Sequence, residues 1–135
     1  MHMNKHPNEN ADTIRRFARN YRNADVDFDR SGVVWLDGFI DWLRENNADI
    51  EDSQRIFALG CFFGTCVIDT IGGQWACDND AWKLVPLRKW DLDPFQSVRL
   101  HLQFGQEHSV LVTYNNVVVL AQRCDEPSDA TESAS

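Results

Sequence analysis

Positive charge is scarce in this sequence: 13 Lys and Arg stand against 21 Asp and Glu, which gives a formal net charge of −8. A chain with this balance is a poor ligand for nucleic-acid phosphates and for anionic membrane surfaces. The four cysteines include no Cys-x-x-Cys pair, the usual basis of a structural zinc site. Neither a nucleic-acid partner nor a membrane partner is therefore expected.

Sequence motifs of catalysis are also missing. The chain contains no Gly-x-Ser-x-Gly, no phosphate-binding loop and no dinucleotide-binding glycine pattern. Cys77, His101 and His108 are candidate nucleophiles or bases, but no spacing links them into a catalytic set. The sequence therefore predicts a protein that is not an enzyme, and an enzyme built around Cys77 or a histidine ranks as a third hypothesis.

Long apolar runs that would anchor the chain in a membrane are not expected either. The uncharged apolar stretch 56–68 lies between Arg55 and Asp69 and is shorter than the roughly 20 residues that span a bilayer. The first ten residues are polar and do not resemble a secretory signal. Cys61 and Cys66 fall within the apolar stretch, where a thiol acts as a small hydrophobic group. We expect a cytoplasmic protein with reduced thiols.

What is present is enough for one folded domain. Of the 135 residues, 43% are hydrophobic, and they include 5 Trp and 8 Phe. The segment 1–22 is basic, whereas the segment 125–135 carries four acids, no base and a composition too polar to form a core. These differences predict a flexible N-terminus at 1–11, a single domain at 12–124 and a disordered acidic tail at 125–135.

Hydrophobic periodicity predicts three helices in the first half of the chain. Asp12 is expected to cap the first helix, and a second helix is expected over about 34–46. A third begins near Asp49 or Asp52 and continues to residue 71. It is apolar on nearly all sides, so it should be the central helix, with Gly60 and Gly64 allowing another element to approach closely.

The second half changes its pattern after two consecutive glycines. Segments 74–77 and 81–85 flank a turn composition and predict a hairpin, to which residues 88–92 could add a third strand. Asp93 followed by proline predicts the start of another helix, which should stop at Gly105. The segment 109–122 fits either a hairpin or a helix. The expected fold class is α+β, with N-terminal helices around a central apolar helix, a small antiparallel sheet and a further C-terminal helix.

A short acidic motif suggests a calcium site. Asp27, Asp29 and Ser31, followed by Gly32, match the first positions of an EF-hand loop, in which oxygen ligands alternate before a sharp turn. Gly38 stands where that loop needs a bidentate glutamate. An acidic turn between two helices is therefore the favoured interpretation, calcium binding by Asp27, Asp29 and Ser31 is the alternative, and no other cofactor is expected.

Residues of the second half resemble a bacterial family of small domains of unknown function. The resemblance covers about 52–114 and is carried by Leu-Gly-x-x-x-Gly at 59–64, Gly-Gly-x-Trp at 72–75, Trp82 and the Asp-Pro-Phe helix start at 93–95. It implies an α+β domain without an assigned catalytic residue. It also implies a partner of a larger protein, as immunity proteins that block toxins are.

The leading functional expectation is a non-catalytic module that binds a basic protein, with an immunity protein for a bacterial toxin as its most concrete form. Acidic residues gather in two places in the folded part, before the central helix and around the strands, and tryptophan is enriched at protein interfaces. The oligomeric state is left open. The residues expected to bind the partner are Asp37, Asp41, Asp78, Asp80, Trp82 and Asp91.

Overall fold

The computed structural model describes residues 6–85 and 92–124 and is mostly helical, with a small two-stranded antiparallel sheet. The expected α+β class is confirmed. The elements are α1 (Pro7–Arg22), α2 (Arg30–Glu45), α3 (Ser53–Ile71), β1 (Gln74–Asp78), β2 (Ala81–Val85), α4 (Pro94–Phe104), a short 3-10 turn (Gly105–His108) and α5 (Val110–Cys124). Residues 125–135, predicted to be disordered, and most of the suggested third strand lie outside the described residues.

The first two helices begin earlier than predicted. The His6 side chain accepts a hydrogen bond from a backbone N–H of the first turn of α1, and Pro7 occupies the first helical position. Asp12 lies inside α1 and pairs with Arg16 at 3.1 Å, so it is not the cap. The predicted flexible N-terminus is wrong for residues 7–11, because they are helical and Ala11 is fully buried.

The central position of α3 is confirmed. Asp52 caps it, Gly72 ends it at a φ of 92°, and most of the residues between Ile56 and Val67 are buried. Both α1 and α4 pack along α3. In the chain that the structure describes, α3 is also the one helix long and apolar enough to cross a membrane by length and composition, but half of its most apolar window is buried inside the fold.

The hairpin and α4 form as their local sequences predict. The strands β1 and β2 pair in the register Gln74↔Val85 to Asp78↔Ala81, and Asn79 and Asp80 take positive φ angles in the turn between them. Asp93 caps α4 through the backbone N–H groups of Phe95 and Gln96.

The segment 109–122, for which the sequence fitted either a hairpin or a helix, forms the helix α5. Ser109 caps α5 by accepting from the backbone N–H of Leu111 at 3.1 Å and of Val112 at 3.3 Å. One face of α5 enters the core, and this burial outweighs the strand preference of its valines. That face consists of Val110, Tyr114, Val117 and Ala121.

Candidate functional site

A cavity lies between the hairpin and the first turns of α3 and α4. It measures about 500 Å³, and a neighbouring hollow of about 240 Å³ shares Phe57, Phe95 and Arg99 with it. We call the two together the hairpin groove. Its main chamber is lined by Phe57, Asp80, Ala81, Trp82, Lys83, Leu92, Asp93, Pro94, Phe95 and Arg99.

Two stacked aromatic rings form the floor of the hairpin groove. The ring centroids of Phe57 and Phe95 are 5.3 Å apart and their planes differ by only 1°. Phe95 can sit this close to α3 because Gly60 has no side chain: a Cβ there would lie 2.3 Å from the ring. Gly64 accommodates Trp75 in the same way, at 2.4 Å. The predicted close approach at the two glycines is thus confirmed, and it positions the groove.

The rim of the hairpin groove carries charges of both signs. Lys83 pairs with Asp78 at 3.3 Å, and Arg99 donates to the side-chain carbonyl of Gln96 at 2.9 Å. Asp80 is exposed at the tip of the turn, and its carboxylate has no ion pair within residues 6–85 and 92–124. Trp82 is half-buried, with the His6 ring edge-on to it at 4.8 Å. The open part of the rim therefore presents the Asp80 carboxylate, which has no ion pair among the described residues, beside an aromatic surface.

The residues predicted to bind a partner separate into two groups. Asp78, Asp80 and Trp82 belong to the exposed hairpin, and Asp80 and Trp82 line the groove. Asp91 lies outside the described residues. Asp37 is buried at 9% exposure, so the expectation that it forms part of an exposed acidic patch is wrong. Asp41 keeps a third of its side chain exposed but is bonded to the same buried network as Asp37.

That network joins α2 to α4 and to the start of α5, and we call it the polar cluster: Asp37, Asp41, His101, Gln106 and Ser109. His101 is fully buried, and its Nε2 lies 2.8 Å from Asp41 Oδ1. The backbone N–H of Val110 donates to Nδ1 at 3.3 Å, and Asp37 Oδ1 lies 3.6 Å from the same nitrogen. His101 therefore lies between the two carboxylates, with a polar partner at each ring nitrogen.

The two carboxylates of the polar cluster share one donor. The Gln106 amide nitrogen lies 2.9 Å from Asp37 Oδ2 and 2.8 Å from Asp41 Oδ2. The Ser109 hydroxyl and the backbone N–H of Leu111 donate to Asp37 Oδ1. A shallow cavity of about 380 Å³ opens onto Asp41 and Gln106 and is also lined by Arg44, Glu45, Phe104 and Gly105. The cluster thus places two carboxylates, a buried histidine and several hydrogen-bond donors at the edge of an open cavity.

The polar cluster was missed in the sequence because its members lie far apart along the chain. Asp37 and Asp41 are one turn apart on the same face of α2, and this spacing is a signal that the sequence does contain. His101 follows the apolar pattern of α4, where a buried histidine looks like any core residue. No spacing rule connects α2 with α4, so the contact of His101 with Asp37 and Asp41 could be identified only from the folded structure.

The motif that suggested calcium binding has another role. Asp29 caps α2, because its carboxylate accepts from the backbone N–H of Ser31 at 2.9 Å and of Gly32 at 3.3 Å. The Ser31 hydroxyl, above all, lowers the pKa of the Asp29 carboxyl, burial opposes this slightly, and the two backbone N–H groups add to the lowering. An EF-hand loop would run to residue 38, whereas α2 is helical from Arg30 onward. Asp27 and Asp29 therefore belong to an acidic turn that leads into α2, as the favoured interpretation expected, and together with Ser31 they do not form an EF-hand loop.

Gly32 occupies a position in α2 where no larger residue fits. A Cβ on Gly32 would lie 2.1 Å from the backbone carbonyl oxygen of Asp27. The glycine that matched the calcium motif is therefore needed for the tight entry into the helix. Helix capping together with this close approach accounts for the motif.

The cysteines do not form a site among the side chains that the structure describes. Cys61, Cys66 and Cys77 form no disulfide with one another, and the first two are buried in α3. Burial raises the pKa of both buried thiols well above the ordinary value, with the charges of Asp29 and Asp69 adding to the effect at Cys66. Cys77 is exposed on β1. The core thiols are thus protonated and inert at neutral pH.

Comparison with known proteins adds no further constraint. No protein-family model matches this chain, and no curated protein or solved structure shows a significant similarity to it. The resemblance to a bacterial domain family stays a prediction.

Proposed function

We propose that this chain is a non-catalytic protein-binding module of the cytoplasm that receives a basic segment of its partner at the hairpin groove. The observation that carries the proposal is the position of Asp80 and Trp82, which both line the cavity of about 500 Å³ beside the hairpin. An aromatic surface surrounded by polar groups is typical of the centre of a protein interface. The exposed Asp80 carboxylate offers a contact for Arg or Lys.

The surrounding charge favours the same kind of partner. The chain carries a net charge of −8, which would attract a basic protein and speed the encounter. Trp82, Phe57 and Phe95 would then contact an apolar side chain next to the base. The charged contact would fix the orientation of the partner segment, and the aromatic rings would provide the apolar surface that is buried on binding.

An immunity protein that neutralises a basic bacterial toxin is the most concrete form of this proposal. An acidic module seated over a basic active site would exclude the substrate both sterically and electrostatically. The immunity-protein proposal is supported by the acidic net charge, the hairpin groove and the resemblance to a bacterial family. It includes a bacterial origin of the chain.

Capture of the partner from a bacterial lysate tests the proposal. The immobilised chain should retain a basic protein at about 0.05 M salt and release most of it at about 0.5 M, because rim charges are screened over a few ångströms at high salt. Asp80→Lys should reduce the retained amount at least about tenfold, and Trp82→Ala similarly, since hot-spot truncations cost about 2 kcal/mol or more.

Glu107→Lys is the matched control, because Glu107 is an exposed carboxylate in the 3-10 turn on the side of the polar cluster. It changes the net charge as much as Asp80→Lys does and should retain the partner. Equal losses with both lysine variants would show that only the overall charge matters. Retention of the same basic protein by Asp80→Lys and Trp82→Ala, or of none by the native chain, would contradict the proposal.

A further inference from the structure

We propose that the surface formed by α1, α2 and the loop between them binds an acidic peptide segment of a partner protein. Two arginines of α1 and the aromatic rings that they cover make up this surface, which we call the arginine–aromatic face: Arg15, Arg22, Phe28, Phe39 and Trp42. In the described part of the chain, no residue of α1 or α2 lines the hairpin groove. The inference therefore does not depend on the proposed function.

Positive charge is concentrated on the second half of α1. The segment 15–22 contains four arginines and no acid. Two of them, Arg16 and Arg19, form exposed ion pairs with acids at 3.1 Å and 3.3 Å. Arg15 and Arg22 are exposed as well, but neither forms an ion pair with any residue that the structure describes. Their spacing of seven residues puts them on one side of the helix, about 10 Å apart along its axis.

Aromatic rings hold Arg15 and Arg22 in place. The guanidinium carbon of Arg15 lies 5.4 Å from the centroid of the Phe28 ring. That of Arg22 lies 4.4 Å from the Trp42 ring and 5.7 Å from the Phe39 ring. A guanidinium over a ring face keeps N–H groups at its edge that can donate to both oxygens of a carboxylate. Because the rings already order the two side chains, less conformational entropy is lost when a carboxylate binds.

Exposed aromatic surface lies next to these arginines. Trp35, Phe39 and Trp42 stack along α2, with neighbouring centroids 5.0 Å and 6.0 Å apart and planes that differ by 8° in each pair. Trp42, at the end of the stack, is 40% exposed, and Tyr21 of α1 is 76% exposed. Arg, Trp and Tyr are the residues in which the binding energy of protein interfaces is concentrated. The arginines would contact carboxylates of the partner segment, and the rings would contact its apolar side chains.

Charge and spacing together indicate an acidic segment as the ligand. A peptide in the polyproline-II conformation has three residues per turn and rises about 3.1 Å per residue, so every third side chain lies on one face, about 9 Å apart. Carboxylates at this interval match the separation of Arg15 and Arg22 along α1. The chain as a whole has a net charge of −8, but a ligand at this face responds mainly to charges within about 10 Å at 0.1 M salt.

Binding of a fluorescein-labelled peptide, Glu-Leu-Ser repeated four times, tests the proposal, with fluorescence anisotropy as the readout. The full chain should bind it with a Kd of about 10⁻⁵–10⁻⁴ M at about 0.05 M salt, since two charge-assisted contacts and some apolar burial are expected. The affinity should fall at least about threefold at about 0.5 M salt. The same peptide with Gln in place of Glu should not bind below about 1 mM.

Single substitutions locate the contact. Arg22→Gln should weaken binding at least about tenfold and Trp42→Ala at least about fivefold, and both side chains are exposed, so the variants should fold. Arg22→Lys keeps the charge but not the planar group, and it should still bind at least about threefold more weakly than the native chain. Arg99→Gln is the matched control, because it removes an exposed arginine at the hairpin groove, and its affinity should stay within about twofold of the native value.

Three results would overturn the proposal outright: no saturable binding of the Glu peptide by about 1 mM, equal affinity for the Gln peptide, or equal losses in Arg99→Gln and Arg22→Gln. Two other occupants of the face would give different results. If the acidic segment 125–135 of the same chain covers the face, replacing its four acids by Asn and Gln should tighten peptide binding at least about tenfold. If a second copy covers it, the native chain should sediment as a dimer and Arg22→Gln as a monomer. Either result would overturn the assignment to a partner protein.

Discussion

The hairpin groove and the polar cluster both contain acidic residues, yet the fold gives those residues opposite surroundings. At the hairpin, Asp80 projects into solvent beside Trp82. On α2, Asp37 is buried and accepts from Gln106, Ser109 and Leu111. A carboxylate that must satisfy neighbouring donors is fixed in place, whereas an exposed one is free to bind. Acidic composition alone therefore does not identify a binding surface.

The largest expected difference between the two regions lies in stability. Asp37→Ala should lower the free energy of unfolding by about 2–3 kcal/mol, because it leaves the buried Ser109 hydroxyl and its neighbours without their acceptor. Asp78→Ala removes an exposed partner of Lys83 and should change stability by less than about 0.5 kcal/mol. Urea denaturation of both variants measures the difference, and equal values would show that burial does not distinguish the two acids.

A second pair of variants compares a substitution that disturbs the floor of the hairpin groove with one that meets no neighbouring atom. Gly60→Ala should cost about 1–2 kcal/mol, because its Cβ would collide with Phe95 and push the ring into the groove. In Gly38→Ala the new Cβ meets nothing within 4 Å, and loss of a helix-interior glycine should stabilise the chain by about 0.5–1 kcal/mol. Thermal or urea unfolding of the pair provides the test. A stabilising Gly60→Ala would contradict the packing described for the groove floor.

The smallest expected loss of stability concerns Asp29, an acid that is exposed and nevertheless hydrogen-bonded. Asp29 is exposed, yet it caps α2, so Asp29→Ala should cost about 1 kcal/mol. Its folded pKa lies below the ordinary carboxyl value, mainly because of the Ser31 hydroxyl. The stability it contributes is therefore present above about pH 4 and is lost as the pH falls through the folded pKa. The difference in stability between the native chain and the variant should therefore shrink as the pH falls below about 4, and a difference that does not shrink would contradict the capping role.

Local signals in the sequence were sufficient for much of the fold. The turn at Asn79 and Asp80, the cap at Asp93 and the stop at Gly72 each depend on a few neighbouring residues, and the structure forms all three. The N-terminus of α1 was misplaced because an Asp cap is a common signal, whereas a His6 cap followed by proline is a rarer one. The helix α5 could not be decided, since its valines favour strands in isolation and only packing buries one of its faces.

The candidate sites were predictable only in part. Asp80 and Trp82 lie on a hairpin that the sequence predicts, so the exposure of Asp80 at the turn and the place of Trp82 on the second strand followed from local structure. The hydrogen bonds of Asp37 and Asp41 could not be predicted, because Ser109 and His101, which contact them, are brought there by tertiary packing. No pattern within α2 distinguishes a solvated acidic face from one that packs on a buried histidine.

Hydrogen–deuterium exchange on the complex with the captured basic partner tests the central claim most directly. We predict slower exchange in residues 78–83 and 93–99, which form the hairpin and the start of α4, with unchanged exchange in residues 37–41 and 106–111. Protection confined to the second pair of segments, with none at the hairpin, would contradict the assignment of the groove as the binding surface.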